Sequence, residues 1–246
     1  MTNLEKIILR KLKPHEDKKR AEHYVGYINS AYSLLGCNMP TIRRVAREIA
    51  SEFDHLPWRQ QRRRLTDLWK RSEIFDVLYV MLIIYSNRQK QNDLSDWRIL
   101  KSWSSKIDNW AHSDTLSDMI ASQLERYPKE IYSVMKQWNR SKNPWQRRLS
   151  LTSLLYYSTY RSYPLKPDKI LPLIKARLDD QDIYVQKAVG WALRECGNCY
   201  PKETGNFIKK YVTDLSSIAF TTSTEKWSRK EKEPLKKKRK AFRKKK

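Results

Sequence analysis

Glycine is scarce in this chain, five of 246 residues, where roughly 7 % is usual. Few positions are therefore free to take the positive φ that tight hairpin turns require, which counts against an all-β fold. Cysteine is also rare. Cys37, Cys196 and Cys199 are too few for a disulfide framework, and a chain of this length can bury a core without staples. No apolar run is long enough to span a bilayer, and Lys6, Arg10 and Lys11 stand where a secretory signal needs an apolar stretch. The expectation is an intracellular protein with no membrane partner. Acidic residues are outnumbered too: 27 Asp and Glu face 51 Lys and Arg, a net charge of +24. So large an imbalance calls for a polyanionic partner.

Aromatic residues are plentiful, with nine Trp and fourteen Tyr. Beside so many cations they offer flat faces for bases, unless most of them are core. Amphipathic periodicity predicts twelve helices, over 3–11, 16–35, 40–53, 58–71, 74–88, 94–105, 109–126, 128–138, 144–161, 167–178, 181–196 and 201–212. Gly36 is placed to cap a helix end, while Pro40, Pro57, Pro128 and Pro201 fall where the next helix starts. Helices of this length joined by short breaks pair into antiparallel hairpins, so the predicted fold is all-α, an α-solenoid of about six degenerate helical pairs forming a curved superhelix with a basic concave groove. A single helical bundle is the alternative.

Charge is distributed unevenly. Residues 226–246 hold thirteen Lys and Arg against Glu231 and Glu233, with too little apolar content to offset the entropy of ordering. The chain is therefore read as one folded domain over 1–225 and a basic, disordered arm over 226–246. The KKKRK run at 236–240 suits a nuclear localisation signal in a eukaryote, or an arm holding DNA in a prokaryotic cytoplasm.

Three residues fall off the buried stripes. In the helix over 181–196, Val185, Ala188, Val189, Ala192 and Cys196 define the core face, and Trp191 points about 110° away. Its indole is aimed at a flank or groove, or packs on a neighbouring repeat. In the helix from 109, Leu116, Ile120, Leu124 and Tyr127 share one face, with Trp110 and Asp114 about 100° and 140° from it. Their i, i+4 spacing puts an aromatic plate beside a carboxylate. On a surface that binds phosphate, a carboxylate lowers affinity, so Asp114 either has another purpose or pairs with a Lys or Arg.

Four segments in this order, AEHYVGYINSAYSLLGCNMPTIRR (21–44), DNWAHSD (108–114), NPWQRRLSLTSLLYY (143–157) and IYVQKAVGWALRE (183–195), give the chain a resemblance over about residues 20–215 to the AlkD-like DNA alkylation repair enzymes. That family consists of DNA glycosylases built of HEAT-like repeats. The resemblance implies that Trp110 and Trp191 are active-site tryptophans, Asp114 the catalytic aspartate, Tyr27 a pocket tyrosine and Arg148 a holder of the DNA backbone near the lesion. It further implies a double-stranded DNA substrate containing alkylated purines, engaged without enclosing the base in a deep pocket.

The implied chemistry needs few groups. A purine alkylated at N3 or N7 is cationic and leaves as a neutral base without being protonated. One carboxylate then suffices to stabilise an oxocarbenium-like sugar and position water, and indole faces favour a cationic base. No metal or cofactor is required, and a monomer is expected. Arg43, Arg44 and Lys187 are candidate phosphate contacts, as are Arg47, Arg62, Arg63 and Arg64, although a merely solvated basic face is the competing reading. Cys196 and Cys199 form a CxxC with no second pair to complete a zinc site, so it is read as a packed helix end. His112 is expected to be exposed. The rival reading for the whole chain is a non-catalytic DNA-binding or scaffold protein of the same fold; RNA binding is a weaker third, since no RNA-binding module is visible.

Overall fold

The computed structural model describes residues 2–88 and 93–244. Among these, fourteen α-helices and no strands occur, the only β feature being an isolated bridge between Ser33 and Ile74. The chain divides into two compact units, Met1–Met119 and Ile120–Lys246, where the sequence had suggested one folded domain with an arm.

The first unit contains α1 (Asn3–Leu12), α2 (Lys18–Ile28), α3 (Met39–Glu52), α4 (Trp58–Arg71), α5 (Phe75–Ser86), α6 (Leu94–Trp103) and the start of α7 (Trp110–Arg126), inside which the division falls. α5 is apolar on every side and is its central helix, packed on α1, α3 and α4. α1 in turn packs on α3. α2 is shorter than the predicted 16–35, ending where Asn29 takes a left-handed conformation (φ 53°) and closes the helix. The irregular segment that follows is tied down by buried Asp76, which accepts from the main-chain N–H groups of Leu35 and Cys37 at 2.8 and 2.9 Å. Gly36 does not cap the helix. It sits at φ 74° within this segment, where a Cβ would collide with the main-chain oxygen of Asp17 and lie 2.7 Å from the nitrogen of Ala21.

The second unit contains the rest of α7, then α8 (Pro128–Asn139), α9 (Pro144–Thr152), α10 (Pro167–Lys175), α11 (Ile183–Cys199), α12 (Pro201–Lys210), α13 (Ser217–Ser223) and α14 (Arg229–Arg243). α11 is its spine, in contact with α9 on one side and α13 on the other, while α8, α10 and α12 pack on their sequence neighbours. Packing of each helix on the next and the next but one is the pattern of stacked helical pairs, as the sequence predicts. Gly190 permits a close approach of α11 and α13: a Cβ there would lie 2.8 Å from the Thr222 side chain and 2.9 Å from the Ala219 backbone.

Two predictions are corrected here. The helix expected over 144–161 stops at Thr152 and gives way to turns and a 3₁₀ turn at Ser158–Tyr160. The arm expected to be disordered is helical over Arg229–Arg243, started by a capping box between Ser228 and Glu231. Leu235 and Arg239, one turn apart, are its buried residues; Arg239 donates to the main-chain oxygens of Val212 and Leu215, and its guanidinium lies 4.7 Å over the Phe220 ring. Between α14 and helices α11 and α12 a cavity of about 890 Å³ remains, lined by Leu193, Lys202, Lys209, Trp227, Lys230 and Leu235. Lys245 and Lys246 lie outside the described residues.

Candidate functional site

In the first unit the start of α7 is fixed by a buried histidine. Asn109 is wholly buried, and its side-chain oxygen accepts from the His112 N–H at 2.9 Å, capping the helix. The same side-chain amide donates to Nδ1 of His112 at 2.9 Å, while Nε2 of that ring donates to the carbonyl of Phe75 at 3.2 Å. The imidazole stacks on Phe75, centroids 4.5 Å apart, with Trp69 and Tyr79 edge-on to it. Burial pushes its pKa down to about 3, so it is neutral. His112 is thus a core residue and not an exposed one. Its neighbours Trp110 and Asp114, two positions to either side, are turned to other faces of α7 and are half-buried.

Tyr27 meets this helix start. The Trp110 indole donates to the Tyr27 main-chain oxygen at 3.1 Å, and the Tyr27 ring stands edge-on to the indole at 5.2 Å. Asp108 reinforces the junction by accepting from Ser30 Oγ and from the N–H of Ala31. Tyr27 is 58 % exposed. The structure therefore brings together Tyr27, Trp110 and, one turn further along α7, Asp114.

In the second unit Trp191 is half-buried on α11. Its ring lies 5.1 Å from that of Tyr156 and 6.1 Å from that of Tyr157, the latter edge-on, and the Arg194 guanidinium sits 5.6 Å over it. Buried Glu195 organises this cluster. One carboxylate oxygen accepts from the N–H and Oγ of Ser158 at 2.9 and 2.7 Å, and the other accepts from Nε and Nη2 of Arg194 at 3.1 and 3.0 Å. Arg148 is 7 % exposed and donates to the Tyr184 carbonyl at 2.9 Å. Lys187 is exposed, its ammonium 4.9 Å over the Tyr184 ring.

Arg43 and Arg44 are exposed on α3, but Arg44 is engaged by Glu48 at 3.6 Å and donates to His15 at 2.7 Å. Cys196 is buried with its thiol pKa pushed up to about 11 by desolvation, at a packed helix end. Among the described residues no cluster of three His, Cys, Asp or Glu side chains is placed to hold a metal. The sequence reading missed Glu195, Arg194 and the paired tyrosines. The YYSTYRSY run at 156–163 holds four tyrosines in eight residues, but Tyr156, Tyr160 and Tyr163 fall at i, i+4 and i+7 and so read as one helical stripe.

These features define an all-helical protein of stacked helix pairs carrying aromatic and acidic side chains at its helix faces. The chain belongs to the DNA alkylation repair enzyme family, whose model matches residues 8–227. Among solved structures it is similar to a predicted DNA alkylation repair enzyme from Enterococcus faecalis (TM-score 0.74, 16 % identity, 87 % of this chain and 98 % of that one). It is also similar to AlkD2 from Streptococcus mutans (0.53, 18 %, 91 % and 98 %). A third similar structure is the alkylpurine DNA glycosylase AlkC from Pseudomonas fluorescens, bound to DNA containing an abasic site analogue (0.53, 14 %, 90 % and 60 %). None of the curated proteins matches the chain.

Proposed function

We propose that the chain is a monofunctional DNA glycosylase that removes cationic N3- and N7-alkylated purines, such as 3-methyladenine and 7-methylguanine, from duplex DNA. The observation that carries the proposal is the Trp110–Asp114 pair on a family member's helix: a half-buried carboxylate one turn from an indole that Tyr27 holds in place. A groove that only bound phosphate would gain nothing from that carboxylate. The net charge of +24 supports a polyanionic substrate, and a similar fold, AlkC, is an alkylpurine DNA glycosylase seen with DNA.

In the proposed reaction the bond between sugar C1′ and the base nitrogen breaks, its electron pair leaving with the base. The base, already positive, departs neutral. Positive charge develops on the sugar, where the Asp114 carboxylate stabilises it and orients a water whose oxygen bonds to C1′. The released proton passes to the carboxylate or to solvent, and an abasic site remains. Trp110 and Trp191 supply indole faces for the cationic nucleotide. Exposed Lys187, Arg43 and Arg44 contribute to backbone contact, and Arg148 acts close to the damaged nucleotide. No lysine is assigned as an amine nucleophile, so strand cleavage is not part of the activity, and the enzyme acts as a monomer without metal or cofactor.

The test is release of free 7-methylguanine and 3-methyladenine from methylated duplex DNA, read by chromatography, with strand integrity followed in parallel. Release with intact strands supports the proposal. Tight DNA binding with no release favours a non-catalytic DNA-binding or scaffold protein.

A further inference from the structure

The turn between α9 and α10 carries more than a connection. Tyr157 occupies a left-handed backbone conformation at φ 45° and ψ 78°, unusual for a residue with a Cβ and tolerated only where surrounding contacts impose it. Those contacts are present. Glu195 grips Ser158 through its N–H and hydroxyl, and Arg161 donates to the Tyr156 carbonyl at 3.0 Å. Glu125 accepts from the N–H of Tyr163, and the Tyr200 hydroxyl donates to the Pro164 carbonyl at 3.3 Å. The segment is fastened at four points along its length.

What it displays is aromatic. Tyr157, Tyr160 and Tyr163 are 48, 72 and 81 % exposed, and they are three of the five large hydrophobic side chains exposed among the described residues of the second unit. Tyr157 and Tyr160 are three apart across a 3₁₀ turn, where such positions share a face, and their rings are 5.8 Å apart. Tyr157 is in turn edge-on to Trp191. An aromatic surface thus runs from Trp191 through Tyr157 to Tyr160, with the Arg194 guanidinium over Trp191.

We infer that Tyr157 and Tyr160 form a rigid stacking platform for unpaired nucleobases, continuous with Trp191 and positioned by Glu195, and that Tyr163, exposed on the same turn, adds a further ring. Tyrosine faces stack on any base and need no sequence, and a fastened loop loses little entropy on binding. The occupant is a nucleic acid because residues 120–246 carry 30 Lys and Arg against 12 Asp and Glu. Bases inside an intact duplex present no free face, so the platform takes a base that has left the stack, such as one at or opposite a lesion. This inference rests on the DNA reading above and adds a binding surface to it.

The full chain is titrated by fluorescence anisotropy against one oligonucleotide in three forms: single-stranded, intact duplex, and duplex with one tetrahydrofuran abasic site. Tyr160 and Tyr163 are so exposed that Y160A/Y163A leaves the core untouched. That variant is expected to weaken single-strand and abasic-duplex binding roughly tenfold while intact-duplex affinity holds, and Phe at both positions is expected to restore it. Equal loss on all three DNAs would make the tyrosines general backbone contacts and overturn the inference. No loss on any would assign the rings to something else, a protein partner included, and overturn it equally. If the wild type releases no methylated base yet shows the tyrosine-dependent preference, the glycosylase reading fails and the platform stands. Release without that preference sinks the platform alone.

Discussion

Trp110 and Tyr27 are joined twice: the indole N–H donates to the Tyr27 main-chain oxygen at 3.1 Å, and the phenol ring packs edge-on against the indole at 5.2 Å, 79° between planes. The hydrogen bond sets the direction of the indole, and the ring contact limits its rocking. Trp110→Phe keeps a flat ring and removes the donor. It should cost about 1 kcal/mol of stability in urea unfolding and lower single-turnover base release by roughly three- to thirtyfold, from the weaker cation–π face. Release unchanged at that stability cost would reduce Trp110 to packing.

His112 gives the fold an acid sensitivity of known sign. Its pKa is about 3 in the folded chain, against 6.5 for the unperturbed group, because burial disfavours the cation. Below pH 6.5 the unfolded chain therefore binds the extra proton. The stability supplied by the neutral ring is complete above that pH and is lost as pH falls toward 3, with a limiting slope of about 1.4 kcal/mol per pH unit. Comparing denaturation of wild type and His112→Gln at pH 7.5 and pH 5 isolates the term. The variant should be less stable at pH 7.5 and show a shallower acid decline; parallel declines would contradict it.

Glu195 should matter more for stability than its neighbours Trp191 and Arg194. Glu195→Ala removes the acceptor of the Ser158 N–H and hydroxyl and leaves Arg194 to Glu225 alone, a loss of about 1 to 3 kcal/mol. Hydrogen exchange should then rise first in the 156–163 turn. If exchange there stays at the wild-type rate, other contacts hold the turn.

α14 is docked chiefly through Leu235 and Arg239 over a cavity. Arg239→Ala is expected to speed amide exchange in α14 while α11 keeps its protection. Deleting residues 226–246 removes thirteen cations and should flatten the dependence of log affinity for duplex DNA on log salt, by about 0.9 for each phosphate no longer contacted. An unchanged slope would mean that this segment does not touch DNA.

Much of this was legible in the sequence because helical periodicity is a local property. The off-stripe positions of Trp110, Asp114 and Trp191 follow from counting residues around a helix, and all three are half-buried in the structure. The errors share a different cause. His112 is a polar residue whose burial depends on Phe75 and Trp69, far away in the chain. The turn at Ser158–Tyr160, where a helix was expected, is held by Glu195, 37 residues beyond Ser158. α14 was hidden by its composition, since a run of lysines resembles a disordered arm even when Leu235 and Arg239 lie one turn apart on a docking face. Partners distant in sequence leave no periodic trace.

The role proposed for Asp114 is chemistry on a DNA-bound lesion. The most direct measurement is single-turnover release of 7-methylguanine from a duplex by wild type and Asp114→Asn, with affinity for an abasic-analogue duplex determined for both. Release by the variant is expected to fall by at least about a hundredfold while its affinity is kept or improved. Release at the wild-type rate by Asp114→Asn, with equal binding, would contradict it.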